Sequence, residues 1–436
     1  MKKQVLLRFI MIVIVFLSIC VPGQFTGASP LPSDAEDSTQ APSADHDVID
    51  QAPKVFIDCG SCDMDYIRTE IAFVNYVRDS KDAQVYILIT TRSTGSKGVE
   101  YTLMFDGQKE FEGVDNELKY FSKNTDTSDE VRKGLARILK MGLISYAART
   151  PVVDMISVSF KKKNIVPADT KDNWDYWVFS LSGSGYISGE KMSRYYSLSG
   201  SFSANRVTPE FKFRASYSRG KSEDKFYLDS GTLVSTSRSQ NFNMLAVKSI
   251  NDHWSIGAGL SAYSSTYSNI KRAIKPAPAI EYDFFPYSES TRRQLRFLWK
   301  PGFYSYRYNE ETIYNKTSER LWGESLSIAF EMMEKWGSIS SSLQGFHYFN
   351  DFQKNSLQLN TNISIRLFKG LSFNIYGGVT RVRDQISLPK GDATLEEVLL
   401  RQTQLATGYS YYGSVGLSYT FGSMFSNIVN PRFDGY

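Results

Sequence analysis

The chain has 436 residues, a formal net charge of +4, 42% hydrophobic and 14% aromatic residues, and three cysteines. A charge this close to balance excludes a partner held by net charge alone, nucleic acid included, and the length allows two or three domains. The 27 Tyr and 28 Phe are many for a water-soluble protein, and the six Trp all lie at or beyond Trp174, so the two halves differ in composition.

Lys2, Lys3 and Arg8 precede the apolar run FIMIVIVFLSI, which is too short to span a bilayer comfortably. Small residues follow, and Thr26-Gly27-Ala28 offers a cleavage signal, so residues 1–28 read as a secretory signal peptide. Leu17-Ser18-Ile19-Cys20 raises a rival reading, a lipidated Cys20, against which bulky Ile19 argues. If Cys20 leaves with the signal, Cys59 and Cys62 are the mature chain's cysteines, and in an exported, oxidising space such a pair is usually a disulfide. Residues 29–52 are small, acidic and rich in Pro and Ser, the composition of a disordered linker.

Residues 53–165 read as an α+β domain in the order βαββα. VFID is a strand. In DYIRTEIAFVNYVRDS, Ile67, Ile71, Val74 and Val77 recur at helical spacing. QVYILITT and EYTLMFDG are strands joined by a turn. SDEVRKGLARILKMGLISYAAR is a second amphipathic helix with Ser128 as its N-cap. VVDMISVSF, after Pro151, is a candidate further strand.

Strand, Cys-x-x-Cys, helix is also how thioredoxin-type oxidoreductases present their redox pair. That resemblance implies a reactive Cys at a helix N-terminus and a cis-proline against it, for which Thr150-Pro151 is the candidate. Here both middle strands precede the second helix, and Asp58 rather than an aromatic residue precedes Cys59. A local structural disulfide between Cys59 and Cys62 is therefore expected, with a thiol–disulfide oxidoreductase as the alternative. By topology the βαββα unit resembles the small periplasmic modules of secretins. Such a likeness implies binding of another protein, often by strand addition at a sheet edge.

From Trp174 to Phe421 the chain becomes about twelve segments of period-2 alternation separated by turn residues. In SLQLNTNISIRLF, Leu357, Leu359, Ile363, Ile365 and Leu367 face one way and Ser356, Gln358, Asn360, Asn362, Ser364 and Arg366 the other. Alternation suits a soluble sandwich as well as a transmembrane barrel. Strands of about 12 to 16 residues, far longer than the usual five or six, favour the barrel. So do turns alternating short and long, aromatics gathered near strand ends, and the export signal. The fold class expected is an all-β transmembrane antiparallel barrel at 174–421, behind the periplasmic domain.

The last strand, SVGLSYTF, is similar to the C-terminal β-signal of Gram-negative outer-membrane proteins, with Ser414, Gly416, Tyr419 and Phe421 at the matching positions. That resemblance implies recognition by the barrel-assembly machinery and contact with outer-membrane lipids. It departs from the pattern in that a tail, 422–436, follows. The arrangement also looks like barrel proteins of Bacteroidota-type bacteria that carry a small N-terminal α+β domain. An even strand count would place both termini in the periplasm.

Of the three His, none has metal-ligand spacing with another His or Cys, so no metal or cofactor is expected. Outer-membrane phospholipases set a His with Ser and Asn on a twelve-strand wall. His347 near Ser340, Ser341 and Ser342 invites that comparison, though a His at the outer rim is the favoured reading. Arg214, Arg296, Lys300, Glu324, Arg366 and Arg381 are the lumen candidates, with Arg383, Glu281, Asp283 and Glu331 nearby. Pro276 and Pro278 predict a weak seam, or a strand that begins only after Pro278. The leading expectation is a non-enzymatic envelope protein that engages an unidentified periplasmic protein. A narrow channel or transporter for small solutes is the alternative, and the oxidoreductase comes third.

Overall fold

The computed structural model describes residues 49–95, 97–159, 174–228, 231–391, 406–430 and 432. The signal peptide, Cys20 and most of the linker lie outside them.

The N-terminal module is a five-stranded mixed sheet in the order β2-β1-β3-β4-β5. Its strands are β1 Lys54–Asp58, β2 Asn75–Tyr76, β3 Val85–Ser93, β4 Val99–Gly107 and β5 Asn116–Ser122, with helices α1 Met64–Glu70 and α2 Ser128–Ala147. β1 runs parallel to β2 and β3, and the remaining pairs are antiparallel. One face of the sheet buries Val55, Ile87, Leu103 and Phe105 against Leu135, Leu139, Leu143 and Tyr146 of α2. Gly142 permits that approach, because a Cβ there would lie 2.1 Å from the Phe105 ring.

Four features differ from the sequence expectation. The first helix stops at Glu70, and its later apolar positions Ile71, Val74 and Val77 flank the short strand β2 instead. Ile71, Val74, Tyr76 and Val77 are buried either way, so their spacing reported burial rather than helix. β5 is an added strand, hidden in sequence because it is a half-exposed edge. Thr127, not Ser128, caps α2, in a reciprocal capping box with Glu130. Among the described residues of VVDMISVSF, 152–159, there is no strand: Pro151–Met155 is a 3-10 turn, and the Thr150–Pro151 bond is trans.

The second sheet has twelve antiparallel strands, each paired with its neighbours in sequence. They are β6 Trp177–Gly189, β7 Ser193–Val207, β8 Phe211–Leu228, β9 Gly231–Ser249, β10 Trp254–Ser265 and β11 Ile270–Asp283. The run continues with β12 Arg293–Tyr308, β13 Ser318–Glu334, β14 Gly337–Tyr348, β15 Asp351–Phe368, β16 Leu371–Val382 and β17 Tyr409–Tyr419. Among the described residues β6 and β17 do not pair with each other. The segment 223–235 is mostly strand, with Glu223 opposite Thr236 and Asp224 opposite Ser235. β11 begins at Ile270, before the prolines rather than after them. It pairs with β10 straight through Pro276 and Pro278. Its ladder to β12 breaks between Ile274–Ser305 and Ile280–Trp299, the side left without proline N–H groups. No described helix is long and apolar enough to cross a membrane, which says nothing of strands.

Candidate functional site

The cross-strand register fixes which side chains share a face. One row runs Ile256, Ile280, Trp299, Leu326, Gly345, Leu357, Arg381, Tyr409, and its apolar members are largely exposed. This is the outer face. Positions one residue on belong to the inner face. Inner residues of eight successive strands, from Asn243 on β9 to Val382 on β16, line one cavity of about 650 Å³. The sheet therefore curls around that cavity.

Lys300 of β12 and its register partner Ser325 both line the cavity. Arg214 pairs with cavity-lining Leu245. Arg296 lies 3.6 Å from Glu281 on the same face. Lys275, which sequence reasoning missed, also lines it, with its ammonium 4.7 Å from the Tyr263 ring centroid, 5.2 Å from Tyr306 and 5.7 Å from Tyr304. A signal existed in RAIKPAPAIEY, where a single Lys alternates in phase with Ala273, Ala277 and Ala279.

Two lumen candidates sit on the other face. Arg381 lies in the outer row between Leu357 and Tyr409. Glu324 shares the parity of exposed Leu326 and pairs with His347. There the Glu324 carboxylate accepts from Trp299 Nε1 at 2.8 Å and lies 2.9 Å from His347 Nε2. Period 2 decides both positions, since an even residue on β13 and an odd one on β16 point outward. Arg383 continues the outward parity of Arg381, and its N–H donates to the Asn355 carbonyl. The serines of β14 do not join His347, whose ring neighbours are Phe349 and Phe352. Among the described residues no His/Cys/Asp/Glu cluster could hold a metal.

At the far end of the cavity the segment after β16 turns inward. Ile386, Ser387 and Leu388 are buried. The Ile313 N–H donates to the Leu388 carbonyl at 3.0 Å, and Asn269 Nδ2 to the Ser387 carbonyl at 2.9 Å. Ile386 packs with Ile270, Tyr306, Tyr308 and Tyr348, and the hydroxyls of Tyr306 and Tyr348 stand 3.1 Å apart.

The opposite mouth is met by the helix-free face of the N-terminal module. The module and the twelve-stranded sheet belong to one compact unit, Asp45–Tyr436. Arg366, a lumen candidate, reaches out of the mouth. It donates to Asp58 Oδ2 at 2.8 Å, to the Lys335 carbonyl at 3.1 Å and to Tyr86 Oη at 3.4 Å, and stacks 5.2 Å from the Phe56 ring. Lys369 pairs with Asp82 at 2.7 Å, the Gly370 N–H donates to Asp79, and Lys335 pairs with Asp106. In these ion pairs the acid is on the module and the base on a strand turn. Burial, and then the hydrogen bond to Asp58, push the Tyr86 hydroxyl pKa well up. The C-terminal tail extends the module's other edge: the Arg78 and Ser426 N–H groups donate to the Met424 and Tyr76 carbonyls, both at 2.9 Å, and Val77 bridges Phe425.

Cys59 and Cys62 form a disulfide at the corner between β1 and α1, half-buried against the module core. Both neighbours in sequence are acids. Asp63 caps α1 through the Tyr66 N–H and meets Arg132, and those two contacts, in that order, hold its carboxyl below the usual range. A thiolate between Asp58 and Asp63 would meet like charge on both sides. Of the β-signal positions, Ser414 and Gly416 pair with Tyr376 and Asn374, while Tyr419 and Phe421 stack 5.6 Å apart and are exposed.

No family model matches the chain, and no curated protein matches it. Among solved structures it is similar to a NanC porin in a rhombohedral crystal form, at 11% identity and a TM-score of 0.28, covering 55% of this chain and 99% of that one.

Proposed function

We propose that the chain is an outer-membrane β-barrel that passes small solutes through its lumen, with the N-terminal module as a cap on the periplasmic mouth. The observation that carries this reading is the cavity within the curled sheet, polar on much of its wall and bearing Lys275 and Lys300. Closure would come from β6 pairing with β17. Successive strands alternate in direction, so these two run antiparallel. Both expose apolar side chains, Leu181 and Ile187 on one, Val415 and Leu417 on the other, beside unpaired backbone that pairing would satisfy. Outer-membrane lipids would meet the exposed apolar rows, and the assembly machinery would read the strand ending at Phe421. The test is planar-bilayer conductance of the purified full chain. Discrete steps are expected, more frequent at high salt and in Arg366→Met, where the cap is loosened. Absence of steps in both proteins would end the reading.

A second reading, an envelope interaction protein, has one observation in its favour. The β5 edge is unpaired, and Phe121 on it is 59% exposed. Strand addition of a periplasmic partner would use that edge. Crosslinking from a photoreactive residue at Phe121 tests it, and a solvent-only product would count against it.

A further inference from the structure

We infer that the lumen cavity is a binding site for a small planar organic carboxylate, held by Lys275 and Lys300 against the tyrosine wall. The inference rests on the solute-pathway reading and names the class of solute.

Lys275 projects inward because Pro276 and Pro278 take the outward positions of β11, opposite Leu260 and Ala258. Among the described residues its charge is met only at longer range, by Asp384. Among the described residues no carboxylate lies at ion-pair distance from Lys275 or Lys300, whereas neighbouring Arg296 has Glu281 at 3.6 Å and Arg366 has Asp58 at 2.8 Å. An ammonium withdrawn from water without a counter-ion is unfavourable. Three ring faces offset part of that through cation–π attraction, without neutralising the charge. The remaining deficit is what an incoming anion would satisfy. The one acid lining the same cavity, Asp384, is turned to Ser356, whose Oγ donates to it at 2.8 Å. It is also close enough to attract the Lys275 ammonium, so it competes there with an incoming anion.

Size and shape narrow the ligand. A cavity of about 650 Å³ falls within the range that encloses a small organic molecule. Tyr304, Tyr306 and Phe346 offer flat apolar surface for its body, and the lysines fix its carboxylate. A hydrated inorganic anion would use the lysines but gain nothing from the flat ring surface.

The test is calorimetric titration of the full chain, folded in detergent micelles, with benzoate, its neutral isostere benzamide, acetate and inorganic phosphate. Saturable benzoate binding is expected, with benzamide, acetate and phosphate each about tenfold weaker or more. Lys275→Met should weaken benzoate about tenfold, Lys300→Met about threefold, and Asp384→Asn should tighten it about twofold. Folding of each variant is checked by β-sheet circular dichroism and by heat-dependent gel mobility. Equal affinity for benzamide, equal affinity for phosphate, or unchanged benzoate binding in folded Lys275→Met and Lys300→Met would each overturn the inference. Bilayer conductance on the same samples separates the two readings. Steps without lysine-dependent binding refute the site alone, and lysine-dependent binding without steps refutes the pathway alone.

Discussion

Replacing Arg366 with Ala should release the module from the mouth of the barrel. Its guanidinium makes a charge-assisted hydrogen bond to Asp58 at 2.8 Å and lies 5.2 Å from the Phe56 ring. The two side chains are 32% and 24% exposed, so solvent screens the pair in part. That sets the hydrogen bond near the low end of the charged range, about 1.5 kcal/mol. A partly exposed cation–π contact adds about 0.5 kcal/mol. The sum, about 2 kcal/mol, corresponds to about thirtyfold in the docking equilibrium. Tyr86 reports on it, being 1% exposed and placed between Arg366 and Lys335. Hydroxyl-radical footprinting should show Tyr86 labelling rise by up to that factor in Arg366→Ala. Tyr146, buried under α2 inside the module, should stay protected. Raising salt from 0.1 to 1 M shortens the screening length from about 10 to 3 Å, so wild-type labelling should rise too. Tyr86 equally protected in the variant, and at high salt, would refute the docking argument.

Three further outcomes follow from the same geometry. Cys59→Ala with Cys62→Ala removes a very short covalent loop, and the module should lose about 2 kcal/mol in urea unfolding. The intact pair should show no insulin-reductase turnover, and catalytic rates would revive the oxidoreductase. Glu100, its side chain 7% exposed, is pushed up by burial, but Arg92 at 2.6 Å and Lys119 at 3.1 Å outweigh this and hold its carboxyl below the usual glutamate range. A depressed acid stabilises the fold above its unfolded pKa, so this contribution is present above pH 4.5 and lost as pH falls below it. Urea titrations of Glu100→Gln should lack that acid-side decline. On the outer wall, Leu359→Arg should cost about 2–4 kcal/mol in a bilayer and Glu324→Arg about 0–1, read by refolding into vesicles. Equal costs would remove the depth argument.

The twelve strands were legible because period-2 alternation survives wherever one face is apolar. Ser356 to Leu367 announces β15 without any tertiary knowledge. Glu324 and Arg381 were misplaced as lumen residues because chemical type was weighed above parity, although Leu326 beside Glu324 already pointed outward. The module was harder. Its first helix ends before β2, yet the buried Ile71, Val74 and Val77 around that strand keep the helix's spacing, and β5 carries too little apolar signal for an edge. Contacts distant in sequence left no local trace at all. Nothing near Asp58 foretells Arg366, and nothing in SMFSNIVN foretells a segment bridged to Tyr76 and Val77.

The outward polar residues gain meaning once the wall is read in rows. On β15 the outer positions from Leu357 to Ile365 are apolar save Thr361, and at about 2.4 Å of height per tilted residue they span about 19 Å, most of the lipid-facing band of about 25 Å in known barrels. The next outer row toward the far end holds Pro301, Glu324, His347 and Asn355. Arg381 stands at the last apolar row, beside Tyr409. Glu324 is bonded by Trp299 and His347, and Phe349 and Phe352 flank the imidazole. A carboxylate so bonded, within an aromatic girdle, belongs where hydrocarbon gives way to headgroups. On the proposed barrel reading these rows would mark the far boundary of the membrane, and the basic residues Lys335, Arg366 and Lys369 would fall beyond the opposite one, beside the module.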